Sequence, residues 1–229
     1  MTRPRLLIED WLPAAAIGVE CIRERSTGQQ PPDKRFHVWW ARRPLTAARA
    51  AVLASLLPAD FPREVFERLL GFGRPGDEIV AVRRLMDTGY RIPGGFNCDR
   101  AFKGALRGDD LKSIHSAATG LWGEDLVIID PMSGGGSIPL EAARLGFRTL
   151  ANEYNPVACS VLEATLGYPF RFGKELGPRA RVGWSGSARA WPTSTPSIPR
   201  AWCTPTSSPA PSPARTPNSR RPWSRTGTC

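Results

Sequence analysis

Residues 125–156 read D-L-V-I-I-D-P-M-S-G-G-G-S-I-P-L-E-A-A-R-L-G-F-R-T-L-A-N-E-Y-N-P. Leu126 to Ile129 is an unbroken aliphatic run ending at Asp130, the pattern of a strand buried on both faces. A glycine-rich turn follows, Pro131 to Ser137. Ile138 to Leu145 predicts a short helix closed by Gly146, a good C-terminal cap. Phe147 to Ala151 predicts a second strand, ending at Asn152-Glu153. Asn155 as N-cap and Pro156 at the first helical position then open a helix to about Leu166. Strand, turn, helix, strand, helix is the opening of an α/β fold built on a parallel sheet.

The turn narrows the ligand. The dinucleotide pattern G-x-G-x-x-G fails, because the last position counted from Gly134 is Pro139. No Gly-Lys-Ser/Thr appears, so a phosphate-binding P-loop fails as well. What stands is D-P-x-x-G-G-G-S, with Glu153 lying 17 residues beyond Gly136 at the end of the next strand. Such a turn suits a ligand with adenosine and no pyrophosphate. Glu153 can accept ribose hydroxyls, Gly134 to Gly136 let the backbone approach an amino-acid end, and Asp130 can meet an ammonium. The plainer alternative is a tight turn with an incidental acid after it.

Upstream the chain reads as helical. Arg5 to Arg25 predicts helix with a break near Leu12, and Ala16, Val19 and Ile22 share a face at spacings of three. Ser26 to Asp33 reads as a loop. Further helices are expected over 45–57, 61–70 and 77–86, with Gly71 closing the second. Residues 89–120 are glycine-rich and show no sustained period.

A second constellation is H-V-W-W-A-R-R-P-L, His37 to Leu45. Pro44 begins a helix whose free N–H groups and positive dipole end suit a carboxylate. Arg42 or Arg43 can add a charged hydrogen bond, and Trp39 and Trp40 can stack on a base or on adenine. The alternative is that the tryptophans pack in the core and the arginines are solvated.

The net charge of +10 looks like a nucleic-acid signature, but its distribution says otherwise. From Pro178 onward there are eight arginines and no Asp, Glu or Lys, so all 21 acidic residues and 23 of the 31 basic ones precede it. The last 52 residues hold ten prolines, nine serines, seven threonines and four tryptophans, with no leucine. Evolved linkers are poor in aromatics and rich in Glu and Lys. A frameshift near residues 178–182 accounts for the composition; a genuine Pro/Ser-rich tail is the alternative. The five cysteines have no C-x-x-C spacing and suggest neither a zinc site nor a disulfide framework. No apolar run approaches the ~20 residues of a membrane span, and a cytoplasmic setting is the expectation.

D-P-M-S-G-G-G-S closely resembles motif I of amino-methyltransferases acting on DNA, where D-P-F-x-G-x-G is usual. E-D-W-L-P (residues 9–13) and H-V-W-W-A-R-R-P-L-T-A-A-R-A (37–50) narrow the match. They resemble the N-terminal region of prokaryotic adenine-specific DNA methylases that carry a zinc-ribbon insert. The resemblance covers about residues 5–176 and departs from the motif at Met132.

It implies a helical N-terminal region (1–120), then the first strands and helices of an incomplete Rossmann-like S-adenosylmethionine-dependent methyltransferase sheet (121–177), then the tail (178–229). It implies Asp130, Pro131, Gly134, Gly136, Ser137, Glu153 and Asn155 at the cofactor. His37, Trp39, Trp40, Arg42 and Arg43 would touch cofactor or DNA. The family's amine-positioning motif, D/N-P-P-Y/F, does not occur, and the one Pro-Pro pair is Pro31-Pro32. No catalytic residue is assigned. The chain as given is expected to be unstable, with an unpaired sheet edge, and catalytically silent. A non-catalytic nucleic-acid-binding protein is the other reading; an intact RNA or protein methyltransferase needs a motif not found. Translating the encoding DNA in its other two frames beyond codon 177 should give a leucine-bearing continuation leading to paired cysteines and a D-P-P-Y-like motif. An uninterrupted frame for the same tail in independent relatives would argue for a genuine tail.

Overall fold

The computed structural model describes residues 4–26 and 30–175. The tail expected over 178–229 lies outside the described residues. In chain order come α1 (Leu7–Asp10), α2 (Ala14–Arg25), α3 (Pro32–Phe36), α4 (Leu45–Leu56), α5 (Arg63–Leu70), α6 (Gly76–Asp87) and α7 (Gly108–Trp122). Then follow β1 (Val127–Asp130), α8 (Ser137–Arg144), β2 (Arg148–Ala151), α9 (Pro156–Leu162) and α10 (Tyr168–Phe172). A π turn over Glu163–Gly167 joins the last two helices. Pro169, one residue into α10, has no N–H to give the preceding turn, which accounts for the local widening.

Proline starts five of these helices. Pro13, Pro31, Pro44, Pro62 and Pro75 each stand just before the first helical residue, with φ between −75° and −51°. Proline brings no side-chain cap for the free N–H groups that follow it. At two helices, carboxylates from neighbouring elements supply one. Glu24, near the end of α2, accepts hydrogen bonds from the Leu45 and Thr46 amides (2.8 and 3.2 Å) and from the Thr46 hydroxyl. Glu67 on α5 accepts from the Gly76 amide at 3.1 Å. Burial pushes both carboxyls above their ordinary range, and these N–H donors pull the other way.

Several expectations change. The buried face of α2 is Ala16, Ile17, Val19, Glu20 and Glu24, while Ile22 is exposed. A 3.6-residue period drifts off a strict spacing of three, and two carboxylates on that face cap other elements. Glu20, for example, accepts from the Ala101 amide at 3.0 Å. The expected loop over 26–33 yields to α3, which already begins at Pro32. Residues 89–120 hold most of α7, whose signals are Asp109 and Asp110 in the first turn and Ile114 and Ala118 buried four residues apart.

Helix α4 is central, packing against α1, α2, α5, α7 and α8. One core runs from Leu7 to Phe147, across the boundary expected at residue 120, and includes Leu53, Leu57, Phe66, Ile79, Ile114 and Leu145. Inside it lies an ion pair. Arg49 of α4 and Glu141 of α8 have side chains 1% and 0% exposed, with Nε 2.5 Å from Oε2. Glu141 Oε1 takes Arg144 at 2.6 Å, and Arg49 Nη1 reaches the carbonyls of Leu69 and Leu70 (3.3 and 3.4 Å). These are the carbonyls at the end of α5, where a cation is favoured.

The strands pair in parallel, Val127 opposite Arg148 through Asp130 opposite Ala151. This is an α/β arrangement with α8 packed against both strands. Burial on both faces of β1 does not hold. Ile128 packs on the core, but Ile129 is 64% exposed, and Leu150 of β2 is exposed as well. Among the described residues the sheet has two strands, and Ile129 and Leu150 leave its far face open to solvent. No helix among these residues is long and apolar enough to cross a membrane.

Removing one side of the buried pair strands the other. Arg49→Met and Glu141→Leu should each cost about 3–5 kcal/mol in urea unfolding, and the double replacement should cost clearly less than their sum. Additive losses would mean that the two side chains do not act on each other.

Candidate functional site

The end of β1 organises itself through short polar contacts. Asp130 Oδ1 accepts the Met132 amide at 3.2 Å, and the Ser133 hydroxyl donates to the Asp130 carbonyl at 2.9 Å. The ladder continues past both strands. The Asn152 amide donates to the Asp130 carbonyl (2.9 Å) and the Ser133 amide to the Asn152 carbonyl (3.0 Å). The glycine turn is thereby sewn to the end of β2, and Pro131 and Met132 are left on the surface.

Glu153 meets that turn directly. Its Oε2 accepts the Gly134 amide at 2.6 Å, and its Oε1 accepts the amides of Tyr154 (2.8 Å) and Asn155 (3.1 Å). The two elements that the sequence separates by 17 residues are therefore in contact. Backbone donors, led by Asn155, hold the Glu153 carboxyl below its ordinary range against the opposing effect of partial burial. Asn155 is occupied too: its Oδ1 caps α9 by accepting from Val157 (2.9 Å) and Ala158 (3.4 Å), as its place before Pro156 predicts.

The glycines are required by what lies against them. A Cβ on Gly134 would stand 2.9 Å from Trp39 Nε1, and one on Gly135 would stand 2.9 Å from Arg42 Nε and 3.1 Å from Trp39 Cδ1. Gly136 has φ +79° at the start of α8, and a Cβ there would reach 2.5 Å from Leu162. The His37–Leu45 stretch and the glycine turn thus form one place in the fold. The Ser137 hydroxyl fastens them by donating to the Arg43 carbonyl at 2.7 Å. Ser137 is buried and its hydroxyl is committed to that bond.

The second constellation divides. Trp39 is partly buried on the turn, whereas Trp40 is 94% exposed, and His37 and Arg43 are exposed. Arg42 is buried and ion-paired to Asp33. Its Nε and Nη2, and Asp33 Oδ1, are buried without a hydrogen-bond partner. Arg42, Arg43, Asp33, Glu24, Lys34 and Pro44 share in lining a small recess. One expectation is corrected here: the N–H groups at the start of α4 are not open to a ligand carboxylate, because Glu24 already occupies them. Neither Asp33 nor Glu24 stands out in the sequence. Asp33 lies in an ordinary-looking Pro-Pro-Asp-Lys run, and Glu24 betrays itself only as one of two acids, with Glu20, on a helix face shared with Ala16, Ile17 and Val19.

Two protein-family models match the chain. Residues 11–69 match a protein family of unknown function, DUF1156, and residues 116–176 match the RMKL-like, methyltransferase domain. The second match spans both strands, the glycine turn and Glu153. Over these two segments the chain is similar to a methyltransferase domain preceded by a region of unassigned role. No curated protein and no solved structure matches the chain.

A depressed carboxyl pKa makes the Glu153 contacts pH-dependent. Their stabilisation is present above the unfolded-state pKa and is lost as pH falls through the lower folded value. Between about pH 6 and pH 3, urea unfolding of the wild type should therefore lose more stability than that of Glu153→Gln. Parallel pH profiles for the two proteins would remove Glu153 from the turn.

Proposed function

We propose that the chain is the cofactor-binding part of a Rossmann-like, S-adenosylmethionine-dependent methyltransferase whose target is the exocyclic amine of adenine in DNA. The observation that carries this reading is the Glu153 carboxylate bonded to Gly134 of the turn that follows β1. That juxtaposition puts a ribose-binding acid beside a backbone bare enough for close approach. The match of residues 116–176 to a methyltransferase domain supports it.

The residues present suit such a ligand. A carboxylate offers about four acceptor positions. Three at Glu153 serve backbone amides, so a ribose hydroxyl can bind without displacing any of them. Arg42 holds two buried donors without partners against Gly135, fit for a carboxylate. Asp130 stands at the head of the turn, where Oδ2 is free of the Met132 contact made by Oδ1. When bound, S-adenosylmethionine supplies a methyl group on a sulfonium, open to attack by an amine. The chain's own part is to hold the ribose at Glu153, the amino-acid end near Arg42, and the turn in a fixed shape. DNA is the proposed partner, with exposed Trp40, His37 and Arg43 as its contact.

The 229 residues hold no motif to position the amine, so cofactor binding without DNA methylation is the expected behaviour. The exposure of Trp40 beside Arg43 also favours a second reading, a nucleic-acid-binding protein with no cofactor. Calorimetry separates them. S-Adenosylmethionine should bind the wild type, and Glu153→Ala should weaken it about tenfold or more, the loss of a hydrogen bond to a charged group. Salt-sensitive DNA binding that ignores both the cofactor and Glu153→Ala would favour the second reading instead.

A further inference from the structure

Between α3 and α4 the chain turns three large apolar side chains outward. Phe36, Val38 and Trp40 are 61%, 62% and 94% exposed. His37, just after α3, has extended backbone (φ −151°, ψ 138°), and alternate residues of an extended chain project to opposite sides. Trp39 is the member turned inward, with its Nε1 against Gly134. The Ser137 hydroxyl holds the Arg43 carbonyl at 2.7 Å, so the stretch is fastened to the glycine turn and its outward row is held in place. Single exposed apolar residues are ordinary on a protein surface, whereas three at alternate positions of one short segment make a patch.

The residues that flank this row are cationic. Lys34 precedes it and Arg43 follows it, and with Arg25 they line one recess. Among the described residues none of these three has an ion-pair partner. The two acids of the recess are committed, Glu24 to the start of α4 and Asp33 to Arg42. The surface is therefore apolar and aromatic with a positive margin. A second protein chain with an apolar face would meet three uncompensated cations there. A nucleic-acid duplex brings phosphates but keeps its bases stacked inside. An unpaired strand brings both, phosphates for the cations and open base faces for the rings.

We propose that Phe36, Val38 and Trp40, with Arg25, Lys34 and Arg43, form a platform for an unpaired DNA strand. The rings of Phe36 and Trp40 stack on bases, Val38 fills the apolar space between them, and the three cations take the backbone phosphates. This rests on the reading of DNA as the partner and deepens it, since the strand bound here is single. The platform needs no cofactor. Its attachment through Trp39 and Ser137 brings that strand alongside the glycine turn.

Fluorescence anisotropy of the full chain with labelled oligothymidine and with a labelled duplex of the same length tests this. The eight arginines beyond Pro178 can attract either DNA, so the decision rests on variants of the platform. Oligothymidine should bind more tightly than the duplex, and Trp40→Ala should weaken it about tenfold, the loss of one stacked base. Lys34→Gln should lower the slope of log affinity against log salt by about 0.7, one phosphate contact on a single strand. Thermal melting shows whether Trp40→Ala folds; if it does not, Phe36→Ser takes its place with the same expected loss. Oligothymidine binding that both aromatic variants leave unchanged overturns the platform and leaves DNA as a partner standing. A duplex bound as tightly as the single strand, with Trp40→Ala weakening both alike, overturns the choice of an unpaired strand. Self-association in sedimentation that Trp40→Ala abolishes makes the row a contact between copies and overturns the platform. No binding of either DNA at about 50 mM salt overturns both the platform and the DNA reading.

Discussion

Arg49 and Glu141 decide how the two halves of this chain meet. A guanidinium in the middle of α4 and a carboxylate in the middle of α8 are both withdrawn from water and pair through Arg49 Nε and Glu141 Oε2, with Arg49 Nη2 left buried without a partner. Burial alone pushes Arg49 toward losing its proton, and Glu141 is the chief influence holding it charged. Neither helix can rotate or slide against the other without leaving an uncompensated charge inside the core. Because Gly136 directly precedes α8, fixing α8 also fixes the glycine turn. The N-terminal helices thus aim the turn, although they contribute no strand to the sheet.

The turn is held from three directions. Glu153 pulls on Gly134 from the end of β2, Trp39 and Arg42 press on Gly134 and Gly135, and Ser137 binds the Arg43 carbonyl. A glycine-rich segment without such restraints would sample many conformations, since glycine loses the most backbone freedom on ordering. Here the ordering is done by side chains far apart in sequence. Trp39, Arg42 and Arg43, within the residues matched by the family model of unknown function, thus pack against the glycine turn of the methyltransferase-like segment.

Much of the fold is legible in the sequence because it rests on local chemistry. The two strands, the Asn155–Pro156 helix start and the αL glycines at 71 and 146 are short-range signals, and each appears where the sequence puts it. Within the site, the partnership of the glycine turn with Glu153 follows from the order of strand, turn, helix and acid. The sequence is silent where the deciding group comes from elsewhere. Nothing near Pro44 says that Glu24 will fill the α4 start, and nothing near Arg42 says that Asp33 will pair with it. The two tryptophans are indistinguishable as letters, yet one lies on the turn and the other faces water. Helix α7 escapes a reading by period because its glycine-rich approach masks an ordinary amphipathic pattern.

The proline starts carry a consequence for how the chain acquires its structure. Helices α4 and α6 have no capping side chain of their own, and each borrows a carboxylate from a different helix. A nascent α4 cut off from α2 would begin with bare amides, and a nascent α6 cut off from α5 would do the same. Short helices are marginal in isolation even with good caps. Secondary and tertiary order therefore arise together in this region, and partial folds that keep some helices while losing others are disfavoured. The same dependence that makes the assembly all-or-none keeps the wall beside the glycine turn from forming loosely.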